Sequence, residues 1–128
     1  MTVSGDDLDV DEFLARFEIR PEGMFRRGEP KPRGKGLHTR SRFWLEVSDC
    51  GFDDFAGQIQ DAIAFLSAER WQPMLATAAQ TPGLEQWLTF GIERLDVEEF
   101  PLQCNYLPPE LVALAGRHRV GIAVDHYP

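Results

Sequence analysis

The sequence predicts an α+β domain with two layers, in which a mixed or antiparallel sheet carries its helices on one face. The chain has 128 residues, the length of one domain, so residues 1–128 are predicted to form a single unit. Hydrophobic residues make up 43% of it, enough for a core that needs no disulfide. Segments with helical and with alternating hydrophobic periods are interleaved along the chain, which is typical of this class.

The first predicted elements are a short strand and a well-marked helix. Residues 1–5 leave room for a marginal strand at most. Residues 8–17 carry apolar side chains at helical spacing, with Asp9 placed to cap the helix and Glu12 at its third position. Pro21 follows and prevents the helix from continuing.

A long, exposed basic loop is predicted at about residues 21–42. This Gly/Pro-rich segment contains three prolines and four glycines, and apolar residues are nearly absent after residue 26. Proline and glycine at this density favour turns and irregular chain over regular structure. Loops of this length in compact domains are usually either functional or disordered.

The middle of the chain alternates between strand and helix. Residues 42–48 alternate on two faces and predict a strand that ends at an Asp-Cys-Gly turn. Residues 54–67 have the clearest helical period in the chain, capped by Asp53 or Asp54. Another helix is predicted at residues 71–79, which carry a proline in the first turn, where it is tolerated.

The last third of the chain predicts two strands, a helix and a final strand. Residues 86–94 alternate clearly, and residues 102–107 are predicted to pair with them as a hairpin. Pro109 suits the first position of a helix that ends near Gly116. Residues 120–127 form the last predicted strand.

Charge is distributed unevenly along the chain. There are 13 basic and 21 acidic residues, giving a net charge of −8. Residues 26–42 hold seven basic residues and one acid, whereas four basic residues face 13 acids after residue 42. Because a net negative protein repels polyanions on average, neither nucleic acid nor a membrane is expected as a partner. The basic loop is expected to fold over the protein's own acidic surface or to meet an acidic partner.

The residue types do not combine into a recognisable catalytic, metal or cofactor site. Cys50 and Cys104 fit no zinc or redox spacing and are expected to be free thiols, with Cys104 on a strand in the core. The three histidines lack metal-ligand spacing. Aspartates at residues 6–9 and 53–54 occupy turn or cap positions, which explain them without catalysis. We therefore expect no catalytic residue, metal or cofactor.

The location of the protein is predicted from two further patterns. The start of the chain is polar and acidic, unlike a secretory signal. Apolar runs stay well short of the roughly 18 residues that a membrane span needs. Both patterns favour a cytoplasmic protein.

Several segments, taken in order, resemble one bacterial protein family. They are SGDDLDVDEF at 4–13, IRPEG at 19–23, RRGEP at 26–30, FWL at 43–45, LPPEL at 107–111 and VDHY at 124–127. This order resembles the family known as domain of unknown function 4279 over nearly the whole chain. The resemblance implies no activity and transfers no site residue, although bacterial families of this kind often include immunity proteins to toxins.

One departure from the family concerns the first strand. The resemblance implies a full strand before the SGDDLD segment, whereas about three residues precede Ser4 here. Either the first strand is cut short or the sequence starts late, and a sheet edge left exposed in this way would make a homodimer possible.

Charged and aromatic residues make up the candidate partner-binding surface. Acidic side chains steer and hold a basic partner, and Trp and Tyr are favoured as anchors at protein interfaces. The candidates are Glu93, Asp96, Glu98 and Glu99 in an acidic group, Arg26, Arg27, Lys31 and Arg33 in the basic loop, and the anchors Trp44 and Tyr127. Trp71 and Trp87 are further candidates, although a tryptophan is equally a candidate core residue, and an acidic surface also serves solubility alone.

These patterns favour a non-enzymatic protein-binding domain. Its sharpest form is an immunity protein that neutralises a basic bacterial toxin by occluding the toxin's active site. The alternative is an uncharacterised enzyme or small-ligand-binding domain with a cleft beside residues 26–42. A concave site with convergent His, Cys or carboxylate groups would distinguish the second from the first.

Overall fold

The computed structural model describes residues 1–94 and 103–128 and contains one mixed sheet with the helices on one face, as predicted. The strand order across the sheet is β2-β3-β1-β4-β5. The strands are β1 (Thr2–Gly5), β2 (Gly23–Phe25), β3 (Ser41–Trp44), β4 (Leu84–Glu93) and β5 (Gly121–Tyr127). The helices are α1 (Val10–Arg16), α2 (Phe55–Ser67), α3 (Gln72–Gln80) and α4 (Pro109–His118), and a short 3-10 turn, Glu69–Trp71, precedes α3.

The predicted caps of the first two helices are confirmed. The Asp9 side chain accepts a hydrogen bond from the backbone N–H of Glu12 at 3.0 Å. Asp54 does the same for the N–H of Gly57 at 2.8 Å. Each carboxylate satisfies a backbone donor that the helix itself leaves unpaired, which fixes where α1 and α2 begin.

The first strand lies in the middle of the sheet, so the expectation that it forms an exposed edge is wrong. β1 pairs with β3 on one side and with β4 on the other, antiparallel to both. Val3 and Ser4 are fully buried. Four residues suffice here because hydrogen bonds on both sides and the core stabilise the strand, whereas the same length at an edge would be marginal.

The predicted hairpin between residues 86–94 and 102–107 is also wrong. β4 pairs with β1 and, in parallel, with β5. Residues 103–107 form no strand, and residue 102 lies outside the described residues. A parallel pair needs a crossover connection, which α4 provides between β4 and β5. Cys104, expected in the core on that strand, is exposed.

The basic segment is more regular than the long loop that its composition predicted. Residues 23–25 form β2, which pairs antiparallel with β3. Between these strands, Pro30 and Leu37 form an isolated bridge. The segment is therefore a hairpin with a long projecting end. The backbone pairing of its two sides continues as far as Pro30 and Leu37, although the density of proline and glycine predicted an irregular loop.

The sheet has a core face and an open face. Val3 and Phe43 are paired neighbours on β1 and β3, and both are fully buried against the helices. Leu66 of α2 and Leu111 of α4 are fully buried in the same cluster. Since side chains alternate along a strand, the residues on either side of Val3 and Phe43 point to the opposite face of the sheet.

Candidate functional site

The open face of the sheet carries a row of aromatic side chains. Thr2 of β1 pairs with Trp44 on β3 and with Trp87 on β4, so the two tryptophans lie on the same face. Phe25 on β2 and Tyr127 on β5 belong to this face by the same register. We call this surface the aromatic face; its members are Phe25, Arg42, Trp44, Phe52, Trp87 and Tyr127.

A stacked group occupies the centre of the aromatic face. The Arg42 guanidinium lies 5.5 Å from the Phe25 ring centroid and 5.1 Å from that of Trp87. Its Nε is buried and has no hydrogen-bond partner among the described residues, while the guanidinium lies over the faces of both rings. Phe25 also stacks on His38, with ring centroids 3.7 Å apart, and the ring centroids of Phe25 and Trp44 are 6.3 Å apart. The rings are thus held in place before any partner arrives.

A second stack lies at the β5 end of this face. Phe52 and Tyr127 are parallel, with ring centroids 4.5 Å apart. A side chain at Gly91 would collide with the Phe52 ring, so the absence of a side chain there makes room for the stack. Phe52 is 53% exposed, Tyr127 41% and Trp44 37%, so apolar ring surface faces solvent at both ends of the aromatic face.

Trp71, Arg26 and Arg27, three further candidate residues, have partners within the protein. Trp71 packs on Phe65 with ring centroids 5.0 Å apart, on the helical side. Arg26 forms ion pairs with Asp11 at 2.7 Å and with Glu29 at 2.9 Å. Arg27 lies 4.0 Å from the Asp7 carboxylate.

At its base the basic segment pairs with acids of α1 and its flanks, as one of the two expected alternatives has it, whereas Lys31, Arg33 and Lys35 do not lie on this acidic surface. Hydrogen bonds from the Arg26 side chain lower the pKa of Asp11, and the Arg26 backbone N–H, followed by its side chain, lowers that of Glu29. Arg40 joins Asp6 and Glu85, with N–O distances of 2.9 and 2.6 Å. These exposed pairs set the position of the hairpin rather than supply much stability.

The other predicted partner residues are spread over the molecule. Glu93 ends β4 and is exposed opposite Tyr127. Lys31 and Arg33 lie near the end of the β2–β3 hairpin and are exposed. The predictions at Asp96, Glu98 and Glu99 fall outside the described residues. The structure therefore brings Trp44, Tyr127 and Glu93 onto one face but does not assemble the predicted set as a single patch.

A polar cluster beside a small cavity went unnoticed in the sequence. Asp61 of α2 accepts a hydrogen bond from the Ser48 hydroxyl at 2.6 Å and one from the Cys50 thiol at 3.6 Å. Asp49, Cys50 and Asp61 place potential ligand atoms within 4.8 Å of one another. The sequence does not show this cluster, because Ser48 lies in the loop after β3, Asp61 lies 13 residues further along on α2, and neither belongs to a spaced motif.

The adjacent cavity has a volume of about 230 Å³ and lies between the 45–52 segment, α2 and β4, not beside the basic hairpin. Gln58 lines it and donates hydrogen bonds to the carbonyls of Gly51 at 2.9 Å and Gly91 at 2.7 Å. The Met1 amino group, which donates to the Leu45 carbonyl at 2.9 Å, is buried nearby, and its burial lowers its pKa to about 6.

The Cys50 thiol is held in its protonated form. The Ser48 hydrogen bond is the largest influence and lowers the pKa, but burial and the carboxylates of Asp54 and Asp61 outweigh it, so the pKa of Cys50 is raised. Because the thiolate is the reactive species, this environment makes Cys50 a poor nucleophile.

We expect iodoacetamide to alkylate Cys50 several-fold more slowly than exposed Cys104 in the folded chain. Mass spectrometry of the two peptides over time gives both rates. Asp61→Asn should speed the reaction at Cys50 and leave Cys104 unchanged, and in urea the two rates should converge. Equal rates in the folded wild-type chain would contradict the raised pKa.

Comparisons with protein-family models, with curated proteins and with solved structures found no match to the chain. The resemblance to domain of unknown function 4279 therefore stays a prediction. Within residues 1–94 and 103–128, none of the helices is long and apolar enough to cross a membrane.

Proposed function

We propose that the protein is a non-enzymatic protein-binding domain whose contact surface is the aromatic face. The observation that carries the proposal is the row of ring side chains on the side of the sheet away from the helices. Trp44 and Tyr127 are more than one third exposed, although burying them would be favourable. Solvent-facing rings gathered on one surface are typical of interaction sites.

The composition of this face suits a protein interface. Trp, Tyr and Arg are the residue types that dominate binding energy in such contacts, and all three occur here. Contact between Arg42 and the rings of Phe25 and Trp87 limits the side-chain freedom that binding would otherwise remove. A partner that covers these rings would therefore gain apolar burial at a low ordering cost.

In its sharper form, the proposal is that the domain is an immunity protein that occludes the active site of a bacterial toxin. The net charge of −8 supports attraction to a basic toxin. Glu93 and Asp125 supply exposed acids on the aromatic face near Tyr127. The acids of α1 contribute less, since Asp11 is already paired with Arg26.

The test is capture of a partner from the native host at low and high salt, followed by affinity measurement with purified components. We expect Trp44→Ala to weaken binding about 30-fold, the loss of a hot spot worth about 2 kcal/mol. Val112→Ala is the matched control, because Val112 is an exposed apolar side chain on α4, away from the aromatic face. Equal effects of the two substitutions would place the interface elsewhere.

The alternative function, an enzyme or small-ligand domain, is favoured by one observation. The cavity of about 230 Å³ is bordered by Ser48 and Cys50, which share the Asp61 carboxylate. A thermal-shift screen of metabolites tests it, with Asp61→Asn as the control variant. A ligand that stabilises the wild-type chain and not this variant would favour the alternative over protein binding.

A further inference from the structure

The end of the β2–β3 hairpin is an ordered projection, which we call the basic arm (residues 28–38). The N–H of Gly28 donates to the carbonyl of His38 at 2.8 Å, and the N–H of His38 donates to that of Glu29 at 2.9 Å. Closer to the tip, the N–H of Lys31 donates to the carbonyl of Gly36 at 3.2 Å. These backbone hydrogen bonds between the two sides of the arm hold it as a hairpin rather than as an irregular loop.

The seven basic residues of this segment divide into two groups. The four at the base have partners within the protein: Arg26, Arg27 and Arg40 lie near carboxylates, and Arg42 lies over two rings. The three at the tip, Lys31, Arg33 and Lys35, are exposed and form no ion pair with any residue in the described ranges. The charge of the tip is therefore available to another molecule.

The arm is joined to the aromatic face at its base. The His38 ring stacks on Phe25, 3.7 Å away, and Phe25 belongs to the aromatic face. Leu37, next to this contact, is 57% exposed. A molecule seated on the aromatic face at Phe25 and Trp44 would thus lie next to the arm.

We infer that the tip of the basic arm binds a carboxylate-rich patch of the protein that covers the aromatic face. This inference rests on the proposed function and names the chemistry of one part of the partner. Three cations held on a fixed hairpin complement a cluster of carboxylates at low ordering cost. Leu37 adds an apolar contact at the edge of that patch.

The charges elsewhere favour a protein over a nucleic acid as this partner. The chain keeps a net charge of −8 even with the three tip cations, so it repels a long polyanion. Glu93 and Asp125 lie on the aromatic face itself, where a phosphate backbone running across it would meet their exposed carboxylates. A protein can instead present carboxylates to the arm and neutral or basic groups to the rest of the face.

The test uses the full chain labelled with nitrogen-15 and titrated with a synthetic octaglutamate peptide at low salt. We expect the amide shifts to be largest within residues 31–37 and the affinity to fall as salt is added. The triple variant Lys31→Glu, Arg33→Glu, Lys35→Glu should weaken peptide binding at least about tenfold.

The matched control is Arg20→Glu, Arg94→Glu, Arg117→Glu, which changes the net charge equally at three other exposed positions. An equal loss in both triple variants, or shifts centred away from the arm, would overturn the inference. Tighter binding of an oligodeoxythymidylate to the arm would overturn it in favour of nucleic acid.

This test can fail separately from that of the proposed function. Trp44→Ala removes a ring from the aromatic face but leaves the tip cations in place, so we expect octaglutamate binding to be unchanged. If Trp44→Ala loses partner binding and the wild-type arm binds no peptide, the inference about the arm is refuted, whereas the proposed role of the aromatic face still stands.

Discussion

Replacing Phe43 with alanine is expected to destabilise the protein by about 3–5 kcal/mol, the range for truncating a buried phenylalanine. Phe43 is fully buried on β3, beside Val3 in the core. Its ring centroid lies 5.6 Å from that of Phe13, so truncation also removes an aromatic contact between α1 and the sheet. Chemical denaturation followed by tryptophan fluorescence and by circular dichroism measures the loss.

The next residue along the strand is the control for this prediction. Trp44 points to the opposite face and is 37% exposed, so Trp44→Ala leaves no enclosed cavity and should cost much less stability. The two substitutions should therefore separate, with Phe43→Ala acting on the fold and Trp44→Ala acting on partner binding. A larger loss of stability in Trp44→Ala would reverse the two faces assigned to β3.

Local patterns predicted the fold class and the helices, whereas the neighbours of each strand depend on distant contacts. The capping aspartates Asp9 and Asp54 act within three residues, so the sequence shows them directly. The central place of β1 depends on β3 and β4, which lie about 40 and 80 residues away. The period of a strand shows which of its residues share a face but not which strand lies beside it.

For the candidate site, as for the fold, the sequence showed single residues but not which of them lie together. Trp44 and Tyr127 stood out as aromatic candidates, but their shared face follows from the strand register, which no local pattern contains. Arg42 looked like one more basic residue of a loop, yet it lies between two rings. Phe52 gave no signal, because its place depends on Gly91, nearly 40 residues further along the chain.

Stability is expected to rise with pH between about pH 6 and pH 8, for a chain that has Met1 as its first residue with a free amino group. Burial lowers the pKa of this group from 8.0 to about 6 in the folded state. Between these values the unfolded chain binds more protons than the folded one, so removing protons favours folding.

The lowered pKa of the Met1 amino group should raise the free energy of unfolding by roughly 2–3 kcal/mol in all as the pH passes from below 6 to above 8. Urea denaturation at a series of pH values measures it. The control chain carries a Gly-Ser extension before Met1, which replaces the buried amine with a peptide bond and moves the charge into solvent. Its stability should change less over this range, because a solvated amine has nearly the same pKa in both states. An unchanged slope would assign the pH dependence to other groups and leave the Met1 amine charged in the folded protein.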